Sequence, residues 1–437
     1  MKSSILLAVL TSLRLATSAL SQLFVITLVG IGSRTDALIA SFVLPQLTST
    51  LIVASLNQVL VPLFTAEPPD SRQQHAWMVF VVLFVIVTPV ALLLMATADG
   101  WLGLLAPGFS AEGRALTAQL VRIQLAGVIF AVPFSALWSL QCAQGRLLWA
   151  EGAQTASTFV AAVLMIAAAP RYGVYAAASA VVLRSALDVL LLIRGLGPWR
   201  GIIRESHLLR RAWHRVRYPI AGSAYFGTEP LVNQFLTSFA GPGGLSAFFA
   251  GQQVYATLSL IANKAIAAPL LPVLSADAND DEWLTFRQRY RRRAWYVFLT
   301  TSGLVLCIAL LGRPILELLI ERGQSLPEAT DLIWQTLVTL GGVCVGGIVG
   351  QITLTALHAM GDTKTPTQIG IVTYTIYLPA KVVAFFAFGL VGLTLASSAF
   401  FLANMIGQWF FLERTLKQRT ALDRSFHPAV ENGMLQK

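Results

Sequence analysis

Twelve runs of mostly apolar residues follow one another along the chain, at about 5–31, 36–64, 76–97, 116–141, 152–169, 173–193, 218–240, 245–273, 294–311, 332–357, 366–388 and 389–412. A helix needs about 20 such residues to cross a bilayer. Outside a closed barrel, only a helix satisfies its own backbone hydrogen bonds there. The runs therefore predict an all-α polytopic membrane protein with about twelve transmembrane helices and little chain left for a soluble domain. Charged residues make up 12% of the sequence, about half of the ~25% typical of soluble domains.

The net charge of +10 does not point to nucleic acid, because the basic residues sort by side. With the N-terminus inside, 21 of the 31 Lys and Arg fall in the N-terminus, the even-numbered loops and the tail; 5 fall in outer loops and 5 within spans. The stretch 194–217 alone holds seven Arg, and 276–293 contains RQRYRRR. This is the positive-inside bias, and it predicts a multi-pass membrane protein with both termini cytoplasmic. The N-terminal run is broken by Arg14 and lacks a clean small-residue cleavage site. It reads as the first helix, not as a signal peptide. Cys142, Cys307 and Cys344 lie in or beside spans and form neither a disulfide framework nor a metal site.

One polar turn interrupts the later spans, HAMGDTKTP at 358–366. It has an echo, CAQGRLLWA at 142–150: at a shift of 216, Ala143 meets Ala359, Gly145 meets Gly361, and Ala150 meets Pro366. At a shift of 210, residues 37–64 lie over 247–274, with Ala40 on Ala250 and Pro62 on Pro272. Spans 1–6 and 7–12 thus read as two six-helix lobes, 1–193 and 218–412, joined by a basic linker 194–217 and followed by a cytoplasmic tail 413–437. Six is even, so the repeat is parallel. Such lobes are typical of transporters that rock about a central cavity. In the turn, Gly361 permits a tight reversal and Pro366 starts the next helix; Asp362 and Lys364 complete a topogenic turn or a gate contact.

Charges inside spans are costly and normally face a cavity or a partner. Arg184 and Asp188 are four residues apart, the spacing of a structural ion pair. Lys264 is placed to snorkel, while Arg122 and Lys381 remain open. Asp36 opens the second span, and Arg14 and Glu229 occupy the first helix of each lobe at depth. These two line a hydrophilic cavity or sit in buried pairs. Gly341, Gly342, Gly346, Gly347 and Gly350 make the tenth span a close-packing surface. The sequence holds no P-loop, H-E-x-x-H or G-x-S-x-G motif, so it does not read as an enzyme. Without a nucleotide site, transport would be driven by an ion gradient, the potential or downstream consumption.

Four stretches resemble the MviN/MurJ lipid II flippases, within the multidrug/oligosaccharidyl-lipid/polysaccharide exporter superfamily. They are SLRLATSALSQLFVITLVGIGSRTDALIASFVLPQL (12–47), LLAPGF (104–109), GLSAFFAGQQVYATL (244–258) and GDTKTPTQIGIVT (361–373). The resemblance implies a flippase for lipid II or another polyprenyl-diphosphate-linked saccharide, acting in cell-wall or polysaccharide assembly. It also implies fourteen helices, against twelve here, and several cavity arginines that meet the diphosphate. Arg14 matches one; the others fall near Ser21, at Thr48 and Ser49, and at Gly251 and Gln252, all uncharged. Arg14, Asp36, Glu229, Gln252 and Lys264 are the candidate cavity residues; Gly361, Asp362, Lys364 and Pro366 are the candidate gate. No cofactor is expected beyond a coupling ion, Na+ or H+. Expected partners are the lipid-linked glycan, membrane lipids and glycan-assembly enzymes, with no nucleic acid and a monomeric state. The alternatives are a cation-coupled exporter of small amphipathic molecules and a non-transporting scaffold of a glycan-assembly complex.

Overall fold

The computed structural model describes residues 2–198, 207–320 and 327–426. Residues 199–206 of the basic linker and 427–437 of the tail lie outside them. Packing divides the chain into two compact units, one of residues 1–246 and one of residues 247–322 and 327–437.

The first unit begins with α1 (Lys2–Val29) and α2 (Ser33–Thr48). A π-helical turn at Ser49–Val53 leads from α2 into α3 (Ala54–Ala66). Then come α4 (Pro69–Ala96), the short α5 (Ala98–Leu105), α6 (Ala111–Ala143), α7 (Leu147–Tyr172) and α8 (Val174–Ile193). A helix of 20 residues, α9 (His207–Phe226), and one of 10, α10 (Thr228–Thr237), follow. α6 is the hub, packed on α2, α3, α4 and α8, and its buried face includes Leu120, Val121, Leu125, Val132 and Leu140. Ser110 caps its start by accepting from Gly113 N at 3.1 Å, a capping role suited to serine.

The second unit contains the body of α11 (Gly244–Ala262), which passes through another π-helical turn at Asn263–Ala267 into α12 (Ala268–Asn279). α13 (Trp283–Ile320), α14 (Pro327–Thr339), α15 (Gly341–Ala359) and α16 (Lys364–Phe426) complete it. α16 is two helices run together across Gly389, whose φ of 62° and ψ of −142° are non-helical. The RQRYRRR stretch, read as loop, lies within α13. There Arg287 reaches Glu413 at 2.7 Å and Arg289 reaches Asp277 at 2.6 Å.

The twelve apolar segments all fall on helices. Nine stretches among the described residues are long and apolar enough to cross a membrane, and one of them, 364–420, contains both halves of α16. The protein is an all-α, multi-pass membrane protein. The packing boundary at 246 places α9 and α10 with the first unit, because α9 rests on α3 and the first π-turn, and α10 on α2 and α5.

The internal repeat recurs in backbone geometry. At the first turn, Gly145 (φ 73°) has its N–H on Cys142 O at 3.0 Å, and Arg146 N donates to Gln141 O at 2.9 Å. At the second, Gly361 (φ 76°) has its N–H on His358 O at 3.0 Å, and Asp362 N donates to Leu357 O at 3.0 Å. Both are helix C-caps closed by a left-handed glycine, 216 residues apart. The same shift carries Gly173 (φ 52°), between α7 and α8, onto Gly389. Each half also has a π-turn inside its second long helix.

The two turns differ in one respect. Asp362 Oδ1 accepts from Lys364 N at 3.1 Å and Thr365 N at 2.9 Å, capping α16, whereas Arg146 offers α7 no such cap. Burial raises the Asp362 pKa, but hydrogen bonds from Thr365 and Lys364 and the nearby His358 outweigh it, so its carboxyl sits below the usual carboxylate value. A depressed folded pKa stabilises above the unfolded value of about 4 and is lost as pH falls below it. Asp362→Ala is expected to cost about 1 kcal/mol, and Arg146→Ala nothing through this mechanism. Thermal melts at neutral pH and near pH 3 check both, since the difference between wild type and Asp362→Ala should shrink at the lower pH.

Candidate functional site

α1 carries Arg14 into the first unit against α7. Its guanidinium donates from Nη1 to Gln154 Oε1 and lies 3.7 Å from Glu151 Oε2. The side chain is 27% exposed and that of Glu151 is 13% exposed, so the pair is screened on one side and open on the other. Thr155 Oγ1 ties the two helices together by donating to Leu10 O at 3.2 Å. One turn further along α7, Ser157 donates to the buried Asp188 Oδ1 on α8. Asp188 also feels the charges of Arg184 and Arg14. Arg14, Gln154, Glu151, Ser157 and Asp188 thus form one polar chain through α1, α7 and α8. A guanidinium held on one side by an amide and a carboxylate keeps free N–H donors for a phosphate oxygen, which its planar fork suits.

The sequence singles out Arg14 without a local partner and pairs Asp188 with Arg184; the structure gives both residues partners on α7. The expected Arg184–Asp188 ion pair is absent among the described residues: Arg184 points to the exposed surface and Ser157 satisfies Asp188. Glu151 and Gln154 were missed because they sit in the first turns of α7, one just before and one just inside the fifth apolar run, about 140 residues from Arg14.

Asp36 is 3% exposed. Its carboxylate accepts from Gly243 N at 2.6 Å, Ser246 N at 2.7 Å and Ser246 Oγ at 2.5 Å, where α11 begins. Its acceptor capacity is spent on backbone and hydroxyl donors, which is a structural use. Thr35 makes the same corner rigid by donating to Gly30 O. Glu229 stands in the first turn of α10, after the break at Gly227. A helix N-terminus favours a carboxylate, and a broken helix inside a span is a feature of transporter sites. The break is close-packed: a Cβ on Gly227 would come 2.9 Å from Leu51 of the first π-turn.

In the second unit, Gln252 is partly buried on α11 and Lys264 is exposed on the second π-turn. A Cβ at position 251 would crowd two side-chain methyls, Leu340 Cδ1 at 2.9 Å and Thr336 Cγ2 at 3.1 Å, which would have to shift. Gly361, Asp362, Lys364 and Pro366 form the cap-and-turn described above, with Pro366 in the first turn of α16. Lys381 is fully buried. Its ammonium donates to Tyr377 Oη, stands 4.5 Å from the Tyr377 ring and 6.0 Å from the Phe248 ring, and Tyr377 Oη lies 2.9 Å from Ser397 Oγ.

The family model for "Lipid II flippase MurJ" matches residues 25–428. The chain belongs to the lipid II flippase MurJ family. A relative from Rhizobium meliloti, "Probable lipid II flippase MurJ", is 23% identical over 370 residues, covering 79% of this chain and 68% of that protein. One of the same name from Synechocystis sp. is 27% identical over 192 residues, 42% of this chain. That match spans about a third of the Synechocystis protein's length, 34%. Among solved structures, "Lipid II flippase MurJ, inward closed conformation" superposes with a TM-score of 0.80 at 15% identity, covering 94% of this chain and 87% of that one. An inward-facing multidrug resistance MATE family transporter of the MOP superfamily gives 0.74 at 14% identity, covering 93% and 96%. These structural likenesses establish the fold, that of the MOP superfamily transporters. The MurJ fold thus carries Arg14 on its first helix, with Glu151, Gln154 and Asp188 behind it.

Proposed function

We propose that this protein is a flippase for a polyprenyl-diphosphate-linked saccharide, lipid II or a related lipid-linked oligosaccharide, working by alternating access in the bacterial inner membrane. The observation that carries the reading is Arg14, a guanidinium at depth in an apolar helix, held by Gln154 and Glu151 yet open on one side. In this reading the diphosphate takes Arg14's free donors and the tail stays in lipid. Substrate phosphate competes with Glu151 for the guanidinium, so loading and pairing alternate. The basic residues of 194–217 and of α13 face the cytoplasm with both termini, and transport needs no enzymatic step by the chain. The coupling ion is H+ or Na+.

The test is rescue of a bacterium depleted of its own lipid II flippase, with membrane levels of each variant matched. A charge-assisted hydrogen bond contributes about 1.5–3 kcal/mol, roughly ten- to a hundredfold in binding. Wild type should rescue; Arg14→Ala should fail, and Arg14→Lys should rescue weakly because it keeps the charge but not the fork. Full rescue by Arg14→Ala would remove the guanidinium from the transport path. No rescue by well-expressed wild type would exclude lipid II as cargo.

A further inference from the structure

The first unit carries another polar site at the far end of α1, about 21 Å along the helix from Arg14 at 1.5 Å per residue. A cavity of about 750 Å³ opens where α1 ends and α2, α6 and α8 begin. Arg34, Arg171 and Glu112 line it, together with Tyr172 and Tyr175. None of these three charged side chains makes an ion pair or hydrogen bond among the described residues. In the proposed orientation this is the outer face. The whole chain has only five basic residues assigned to that face, and two of them converge on one cavity.

The cavity does not end in water. A second, apolar cavity of about 340 Å³ shares Tyr172 and Tyr175 with it and continues between α7 and α8, lined by Leu164, Met165, Ala168 and Leu183. Its lining runs from Ala161 to Tyr172 on α7 and from Tyr175 to Leu183 on α8, about 12–16 Å of helix. That is about half of the ~30 Å hydrocarbon core, the depth of one leaflet. A charged mouth continuous with an apolar groove one leaflet deep fits an amphiphile with an anionic head. Two arginines against one glutamate leave a single net positive charge, matching a phosphodiester better than a diphosphate. The groove also matches an acyl chain better than a much longer polyprenyl tail.

We propose that this composite groove binds one anionic phospholipid of the surrounding bilayer, with its phosphate between Arg34 and Arg171 and one acyl chain along α7 and α8. The site is independent of the transport reading, because none of its residues belongs to the Arg14 chain. The experiment is a thermal-shift titration of the purified full chain in detergent with phosphatidylglycerol, phosphatidylcholine, glycerol 3-phosphate and a polyprenyl diphosphate. A ligand that binds only the folded state raises the melting temperature by an amount that grows with the logarithm of its concentration over its Kd. Phosphatidylglycerol should raise it more than phosphatidylcholine or glycerol 3-phosphate does.

Arg34→Gln/Arg171→Gln should need about tenfold more phosphatidylglycerol for the same shift, the loss of one to two kcal/mol of charge-assisted bonding. Ala168→Phe, which fills the groove without touching the head site, should lose the preference as well. Arg114→Gln, at the same end but outside the lining, should keep it. Each variant is compared with its own lipid-free melt, so a folding defect is separated from a binding defect. Equal shifts from phosphatidylcholine, a full shift from glycerol 3-phosphate, a polyprenyl-diphosphate shift that the groove variants weaken as much as they weaken that of phosphatidylglycerol, or an undiminished phosphatidylglycerol shift in both groove variants would each overturn the proposal.

Discussion

Asp36→Ala is expected to yield little folded protein, although Asp36 has the look of a cavity carboxylate in the sequence. Removing it strands three donors, Gly243 N, Ser246 N and Ser246 Oγ, in a position where the carboxylate is 3% exposed. Each unsatisfied buried donor costs about 1–3 kcal/mol, and the substitution also removes the group that starts α11. The net loss should be about 3 kcal/mol or more, even allowing for relaxation. Asp36→Asn should fall between, because its single carbonyl oxygen serves Ser246 while its amide group faces the Gly243 N–H. Melting temperature and monodisperse yield in detergent give the readout. A variant that melts like wild type but does not transport would return Asp36 to the substrate path and contradict the structural assignment.

Gly346→Ala is the second large effect, and it tests how α15 and α16 touch. A Cβ at 346 would lie 2.6 Å from Phe401 C and 2.7 Å from Leu402 N, backbone atoms that cannot swing aside. Overpacking of this kind costs about 1–3 kcal/mol or more, and against backbone the upper end is expected. Gly346→Leu should prevent the fold from forming. Gly350→Ala, one turn along the same face, is the internal control. Its nearest neighbour, Met405 Cβ, is 3.6 Å away, an ordinary contact. There the gain in helix propensity of up to ~1 kcal/mol should leave stability unchanged or slightly raised. Similar losses at 346 and 350 would show that the glycines matter for something other than helix approach.

These two cases show what was legible in the sequence. The spans were, because a bilayer demands long apolar runs whatever surrounds them. The turn at 358–366 and its echo were also legible, since a left-handed glycine and its neighbours are local. The match of Gly173 to Gly389 has only an aromatic before it and an aliphatic residue after it in each half, Tyr172 and Val174 against Phe388 and Leu390, a pattern too common in apolar runs to stand out until the backbone angle marks it. The glycine face of α15 was legible as a surface. Which glycine meets backbone and which meets a yielding side chain depends on the partner helix. The role of Asp36 was hidden because its acceptors are used by residues 207 and 210 positions away. The partners of Arg14 were hidden for the same reason. A charge in an apolar run announces that something must satisfy it, but it does not say what.

The A-P-G-F stretch belongs with these. Gly108 N donates to Ser238 Oγ at 3.1 Å, and a Cβ at 108 would come 2.3 Å from Ser238 O. The loop before α6 is therefore pressed onto the end of α10, and glycine is the residue that permits that approach.

The central claim is that Arg14 holds the diphosphate of a lipid-linked saccharide during transport. Its most direct measurement is translocation of fluorescent lipid II by the full chain in proteoliposomes, comparing wild type with Arg14→Ala at equal incorporation and equal melting temperature. The account predicts translocation by wild type and a loss of about tenfold or more in the variant. Undiminished translocation by Arg14→Ala would contradict it.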